Sequence, residues 1–139
     1  MEYRIAVENE PSDELRIRLL DQLGRFNAAN GFPPDARTVA VVVRDGADEV
    51  IGGLWGKTVY DWLFVEYLIL DEALRGRELG ARLMRAAEEL AIDRGCVGAW
   101  LTTFTFQARG FYEKLGYSVF AELDNCPGEN VRLFMRKRF

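Results

Sequence analysis

A chain of 139 residues, 49% hydrophobic and 29% charged, has the length of one folded domain, taken as residues 1–139, and the balance of a globular one. It contains no histidine, which excludes Ser-His-Asp and Cys-His nucleophile pairs, histidine zinc sites and imidazole general bases. The net charge of −4, from 18 Lys plus Arg against 22 Asp plus Glu, argues against a basic nucleic-acid face and is compatible with a cationic or amine substrate. The conventional nucleophiles that remain are Ser12, Ser118, Cys96 and Cys126, so acid–base chemistry falls to carboxylates, tyrosine or water. The two cysteines, without a signal-peptide-like run, read as reduced thiols of a cytoplasmic protein. No apolar run approaches the ~18 residues of a membrane span, so no membrane partner is expected.

Along the chain, Tyr3 to Val7 reads as a first strand, ended by Glu-Asn-Glu-Pro-Ser. Ser12 is placed to cap a helix, with Asp13 and Glu14 in its first turn. Leu15, Leu19, Leu23 and Phe26 then form an amphipathic stripe that closes near Asn30-Gly31. Phe32-Pro33-Pro34 opens a loop or a short helical turn. Thr38 to Arg44 and Glu49 to Val59 form a hairpin about Asp45-Gly46-Ala47-Asp48, and Trp62 to Leu70 is a further strand after Tyr60-Asp61. A long helix is predicted from about Gly76 to Arg94, burying Leu79, Leu83, Ala86, Leu90 and Ala91, with Gly95 just past its end. Val97 to Thr103 is a strand, Gln107 to Leu115 a short helix, and Tyr117 to Leu123 and Val131 to Lys137 the last two strands. The order predicts an α/β fold of about seven strands: a mixed sheet, antiparallel early and parallel about the long helix, flanked by three or four helices.

The segment Arg75-Gly76-Arg77-Glu78-Leu79-Gly80-Ala81 joins a strand to a helix. Unpaired N–H groups at a helix start, glycines that admit a ligand to the backbone and two arginines together suit a pyrophosphate. An ordinary helix start with solvated arginines is the alternative. The segment is neither a Walker A loop nor a G-x-G-x-x-G fingerprint.

Leu68-Ile69-Leu70 followed by Arg75-x-x-Glu78-x-Gly80-Ala81 resembles the acetyl-CoA motif of the GNAT N-acetyltransferases, Arg/Gln-x-x-Gly-x-Gly/Ala. Further on, Ala108-Arg109-Gly110-Phe111-Tyr112-Glu113-Lys114-Leu115-Gly116-Tyr117 resembles that family's second motif, Ala-x-x-x-Tyr-x-x-x-Gly-Phe/Tyr. Both motifs lie on the matching elements at the matching separation, and the element order agrees across the chain. Two positions depart from the pattern. Glu78 replaces the first motif glycine and sets a carboxylate beside the phosphate site, where Arg75 and Arg77 are expected to offset it. Thr105 stands where many members carry an asparagine that touches the cofactor, and its hydroxyl is available to cap the helix or hydrogen-bond.

The resemblance implies an acetyl-CoA-dependent N-acetyltransferase that works by direct attack in a ternary complex, without a metal. Its acceptor is a primary amine of a small molecule, or a protein lysine or N-terminus. A homodimer through the C-terminal strands is the implied assembly. The resemblance also assigns the cofactor to Leu68, Ile69, Leu70, Arg75, Gly76, Arg77, Glu78, Leu79, Gly80, Ala81, Thr105, Ala108 and Tyr112. In the family the strands splay near Leu68, pantetheine adds to the free edge, and a backbone N–H meets the thioester carbonyl. From a different class, a CoA-binding interaction module with little catalysis is the competing reading; a heavier acyl group such as succinyl is a variant of the first.

Amine acetylation needs a neutral amine, a donor for the developing oxyanion and a proton for the leaving thiolate. Glu66 is the one carboxylate between Trp62 and Leu70. Alternation places it on a face with Phe64, Leu68 and Leu70, an apolar setting that suits a base acting directly or through water. A half-exposed glutamate that reaches water or pairs with an arginine is the plainer alternative. Tyr112 matches the family tyrosine that protonates the CoA thiolate; core packing is its alternative. Trp55, Trp62, Phe104, Phe106 and Phe32 are candidate cleft aromatics or plain core, and Cys96 and Cys126 carry no expected chemistry.

Overall fold

The computed structural model covers residues 1–139 and forms two compact units, Met1–Pro34 and Asp35–Phe139. The first holds α1 (Asp13–Ala29), capped as its sequence dictates: Leu15 N–H donates to the Ser12 hydroxyl at 3.2 Å, with Asp13 and Glu14 in the first turn. Gly31, at φ +92°, ends it, and Phe32 N–H returns to the Asn27 carbonyl at 2.9 Å. The Pro34 ring closes back over Gly24, where a β-carbon would lie 3.0 Å from its Cγ.

Two expectations fail in this unit. Tyr3 to Val7 is not a strand: alternation supplies propensity, but a strand exists only where its backbone groups find a partner, and none of residues 1–8 joins a ladder. No residue of α1 is buried, because its own unit offers no second layer to receive the stripe of Leu19, Leu23 and Phe26. Residues 32–34 form no helical turn.

The second unit is a sheet of six strands, not seven, in the order β1-β2-β3-β4-β6-β5. β1 (Arg37–Arg44), β2 (Val50–Val59) and β3 (Trp62–Leu70) form an antiparallel meander. The first turn is closed by Asp45, whose Oδ1 accepts from Ala47 N–H at 2.8 Å and Glu49 N–H at 3.0 Å. The second is tight, with Tyr60 and Asp61 both at positive φ. After β3, α2 (Leu79–Asp93) crosses over to β4 (Gly98–Phe104), and β3–β4 is the one parallel pair in the sheet. α3 (Arg109–Lys114), β5 (Ser118–Leu123) and β6 (Arg132–Arg138) follow, with β6 antiparallel to both β4 and β5.

α2 is shorter than predicted at its start, since Glu72–Leu74 forms a 3-10 turn and Gly76 and Glu78 take positive φ. Its buried stripe is also rotated. Gly80, Leu83, Met84, Ala87, Glu88 and Ala91 face the sheet, while Ala86 is exposed. They meet Leu54, Leu63, Val65, Leu101, Leu133 and Met135 to form the core. Glu88 is the polar member of that stripe. It accepts from the Tyr117 hydroxyl at 2.7 Å and from Lys137 Nζ at 3.0 Å, so one carboxylate ties α2 to the segment after α3 and to β6. Burial, and then the Glu88 hydrogen bond, push the Tyr117 hydroxyl well above its ordinary pKa.

Removing one member of such a half-buried network leaves its partners unsatisfied. Glu88→Ala is expected to cost about 2–4 kcal/mol and Tyr117→Phe about 1–2 kcal/mol in denaturant unfolding.

Candidate active site

The site begins where β3 and β4 part. Their parallel ladder runs from Trp62 opposite Gly98 to Val65 opposite Leu101 and stops, although β3 continues to Leu70 and β4 to Phe104. Beyond Val65 the edge of β3 that faced β4 has lost its partner. Its N–H and C=O groups border a cleft of about 1390 Å³, larger than the roughly 300–1,000 Å³ of common small-ligand pockets.

At the same point β3 carries a bulge. Trp55 of β2 pairs with Tyr67 and Gly56 with Val65, leaving Glu66 as the extra residue. The bulge corrects the face assigned to Glu66. Before it, Leu63 and Val65 face α2; after it, Leu68 and Leu70 do. Glu66 therefore lies away from Leu68 and Leu70, on the side of Phe64. Gly56 is required opposite the bulge, because a β-carbon there would run into the Phe64 carbonyl oxygen. The neighbour of Glu66 is a cation: Lys57 Nζ lies 3.8 Å from its Oε1. The pairing alternative read from sequence named an arginine; the cation beside Glu66 is Lys57.

One wall of the cleft is the start of α2. Glu78 is its N-cap residue, at φ +60°, and its side chain makes no capping bond. The first N–H groups of α2, on Leu79, Gly80 and Ala81, have no intrahelical carbonyl and border the cleft. With the helix dipole they give this wall a partial positive charge. Arg75, Gly76 and Glu78 line the cleft beside them, whereas Arg77 lies outside its lining. The left-handed backbone at Glu78 accounts for the motif glycine at this position, since only glycine adopts such a φ freely. Gly80 admits α3: a β-carbon there would stand 3.1 Å from Phe111 Cζ.

Across the cleft stand Ala108 and Tyr112. Gln107 lies before α3, not in its first turn, and its side chain turns back to the end of β4. Its Oε1 accepts from Phe104 N–H at 3.0 Å and from the Thr103 hydroxyl at 3.2 Å. The Tyr112 ring is buried edge-on against Phe111 and Tyr117, and burial raises its hydroxyl above the ordinary 10.0. That hydroxyl makes no hydrogen bond within the protein. Thr105 points elsewhere. Its hydroxyl donates to Asn130 Oδ1 and accepts from Val131 N–H, both at 3.1 Å, so it neither lines the cleft nor caps α3. Phe104 and Phe106 line the cleft and stack at 5.2 Å; Trp55 and Trp62 do not. Both cysteines are free.

The structure thus gathers Glu66, Leu68, Ile69, Leu70, Arg75, Gly76, Glu78, Leu79, Gly80, Ala81, Ala108 and Tyr112 around one cleft and leaves out Arg77 and Thr105. Lys57, Thr103 and Gln107 were not singled out by sequence. Lys57 becomes visible only through strand register, and Gln107 only as the polar residue just before a helix.

A parted parallel pair beside an uncapped helix start opens a cleft bordered by a strand edge without a partner and by free helix N–H groups. Residues 3–117 match the family described as Acetyltransferase (GNAT) family. The chain is 34% identical over 126 residues to the acetyltransferase Atu2258 of Agrobacterium fabrum, covering 91% of this chain and 92% of that one. It is 41% identical over 91 residues to blasticidin-S acetyltransferase of Streptomyces morookaense, covering 64% and 67%. The crystal structure of a candidate acetyltransferase from Agrobacterium tumefaciens superposes with a TM-score of 0.91 at 30% identity, over 99% and 100% of the two chains. The chain belongs to the GNAT family of acetyltransferases and is an acetyl-CoA-dependent enzyme.

Glu78→Gly is expected to remove left-handed strain of about 1 kcal/mol and a repelling charge together. It raises the melting temperature and lowers the KM for acetyl-CoA several-fold, as thermal denaturation and initial rates will report.

Proposed function

We propose that residues 1–139 act as one N-acetyltransferase domain that moves the acetyl group of acetyl-CoA to a primary amine of a small molecule, by direct attack in a ternary complex. The observation that carries this reading is the free edge of β3 beyond Val65, in a cleft that the uncapped start of α2 and Tyr112 also line. The residues present fit the cofactor. The N–H groups of Leu79, Gly80 and Ala81 and the Arg75 side chain suit its phosphates, and the edge from Glu66 to Leu70 suits an extended amide-bearing arm. When bound, acetyl-CoA supplies an activated acyl group on a thiol leaving group.

The chain's own groups then divide the work. A backbone N–H of the β3 edge donates to the acyl oxygen. Glu66, directly or through a water, takes the proton of the incoming amine. Lys57 places a second cation beside that amine, which favours the amine's neutral form. The Tyr112 hydroxyl, held protonated by burial, would supply the proton that the leaving thiolate takes up.

The Streptomyces relative, named for blasticidin S, supports a small-molecule acceptor. The free thiols Cys96 and Cys126 support a reducing, cytoplasmic setting. No helix is long and apolar enough to cross a membrane. The homodimer implied by the resemblance is tested by the solution mass.

A panel of primary amines assayed for acetyl-CoA-dependent thiol release tests the reaction; no release from any amine would overturn it. Tyr112→Phe is expected to lower kcat roughly 10²-fold with the KM for acetyl-CoA unchanged. Because burial raises the Tyr112 hydroxyl above 10.0, it stays protonated to higher pH than a free phenol, and kcat shows no alkaline fall from this group below that pH. Glu66→Gln is expected to slow the reaction most at low pH, where the acceptor arrives as an ammonium, and least at high pH, where it is already neutral. An unchanged pH–rate profile removes Glu66 from the proton path.

A further inference from the structure

Besides Arg75, the cleft lining holds two cations that the reaction above does not use, the exposed Lys114 and the half-buried Arg132. Arg132 opens β6, opposite Phe104 of β4, and lines the cleft with Thr102 and Phe104. Its guanidinium is held in place from three sides. Nε and Nη2 donate to the Thr102 hydroxyl at 3.1 and 2.8 Å, and the group lies 5.4 Å from the Phe104 ring centroid and 5.8 Å from that of Phe134. Four ion pairs form in the chain, Arg44–Asp48, Lys57–Glu66, Arg109–Glu113 and Lys137–Glu88; none includes Arg132. An arginine has five N–H donors in a planar fork, and the Thr102 contacts engage two of its nitrogens. A half-buried guanidinium, immobilised without a counter-charge and open to a cleft, is organised for a planar anion.

Arg132 and the start of α2 line the cleft from opposite faces of the sheet. Leu101 and Thr103 are buried on the α2 side of β4, so Thr102 and Phe104 project to the other face, where Phe64 stacks on Trp100 at 4.0 Å and where Glu66 lies. Glu66 and Arg132 therefore share the face opposite α2, on the two sides of the gap where β3 and β4 part. Opposite charges facing each other across that gap complement a molecule with an amine at one end and an anion at the other.

We propose that Arg132 is the specificity-determining residue for the acceptor, and that the acceptor is a primary amine carrying a carboxylate several bonds away from it. Glu66 takes the amine end and Arg132 the carboxylate, in a bidentate pair. The proposal rests on the acetyl-transfer reading for the identity of the amine end only.

The test pairs acids with their amides. Linear ω-amino acids of four to eight carbons and the matching ω-amino amides are assayed for thiol release, alongside the same comparison for each amine that the panel finds active. The wild type is expected to prefer each acid over its amide about tenfold or more in kcat/KM. In Arg132→Gln that preference is expected to collapse through the acceptor KM, while Arg132→Lys retains part of it. The KM for acetyl-CoA stays unchanged in both. Arg136→Gln, which removes a cation of the same strand over Phe120 outside the cleft lining, is expected to keep the preference.

Equal use of acids and amides by the wild type, or a rise in the KM for acetyl-CoA in Arg132→Gln, would overturn the proposal. If no amine releases thiol, the transfer reading fails and the carboxylate site is read separately, by calorimetry of N-acetyl-ω-amino acids added to the CoA-loaded protein. Binding by wild type and Arg136→Gln that is lost in Arg132→Gln supports it, and binding that is absent or equal in all three rejects it. Melting temperatures of the variants separate a lost site from a lost fold.

Discussion

Everything distinctive about this molecule follows from one interrupted ladder. β3 and β4 are joined by four residue pairs and then diverge, although both strands continue. A sheet that stops pairing in its middle leaves a row of backbone donors and acceptors inside the fold, where an outer edge strand would present them to solvent. Such a row is costly unless water or a ligand satisfies it. The Glu66 bulge makes the interruption compatible with a packed core, because it changes the parity of β3 and lets Leu68 and Leu70 continue to face α2 after the pairing has ended.

The neighbouring elements are arranged around that opening. α2, which connects the two parting strands, begins beside the gap and brings its unpaired N–H groups there. α3 closes the other side and is positioned through Gly80 and Phe111. Glu88 links α2 to β6 and to Tyr117, so the wall that carries Tyr112 and the wall that carries the helix start are fastened through one carboxylate. The opposite face of the sheet carries the charges, Glu66 with Lys57 on one strand pair and Arg132 beyond β4, so the two sides of the cleft differ in chemistry as well as in shape.

Much of this was readable in the chain. The six strands of the sheet and the three helices stand close to where periodicity and turn residues place them, because each rests on local signals: Ser12 at a cap, Asp45 and Gly46 at a turn, Gly95 and Gly116 past helix ends. The resemblance of the two motifs to those of the GNAT family implied that the α2 start and Tyr112 share one site. What was not readable depends on partners. Tyr3 to Val7 has strand alternation and no ladder. Glu66 alternates with Leu68 in sequence, but the bulge is a property of two strands together. Glu88 sits in a helical stripe where a count of apolar residues passes over it, and Lys57 and Arg132 acquire meaning only from register across the sheet. Arg77 and Thr105 show the converse: a motif position records family usage, while the local backbone decides which way this side chain goes.

The bonds about Thr105 have a mechanical consequence. Its N–H meets the Val131 carbonyl at 3.0 Å, its hydroxyl accepts from Val131 N–H and donates to Asn130, and β4 is paired with β6 along its whole length. The β4 side of the cleft is therefore a clamped beam, stitched to its neighbour beyond the end of the strand. The β3 side, beyond Val65, is held on one edge only. Any widening of the cleft to pass a bulky ligand must fall on β3 and the turn that leads into α2, so the two rims have unequal stiffness, and the compliant rim is the one that carries Glu66.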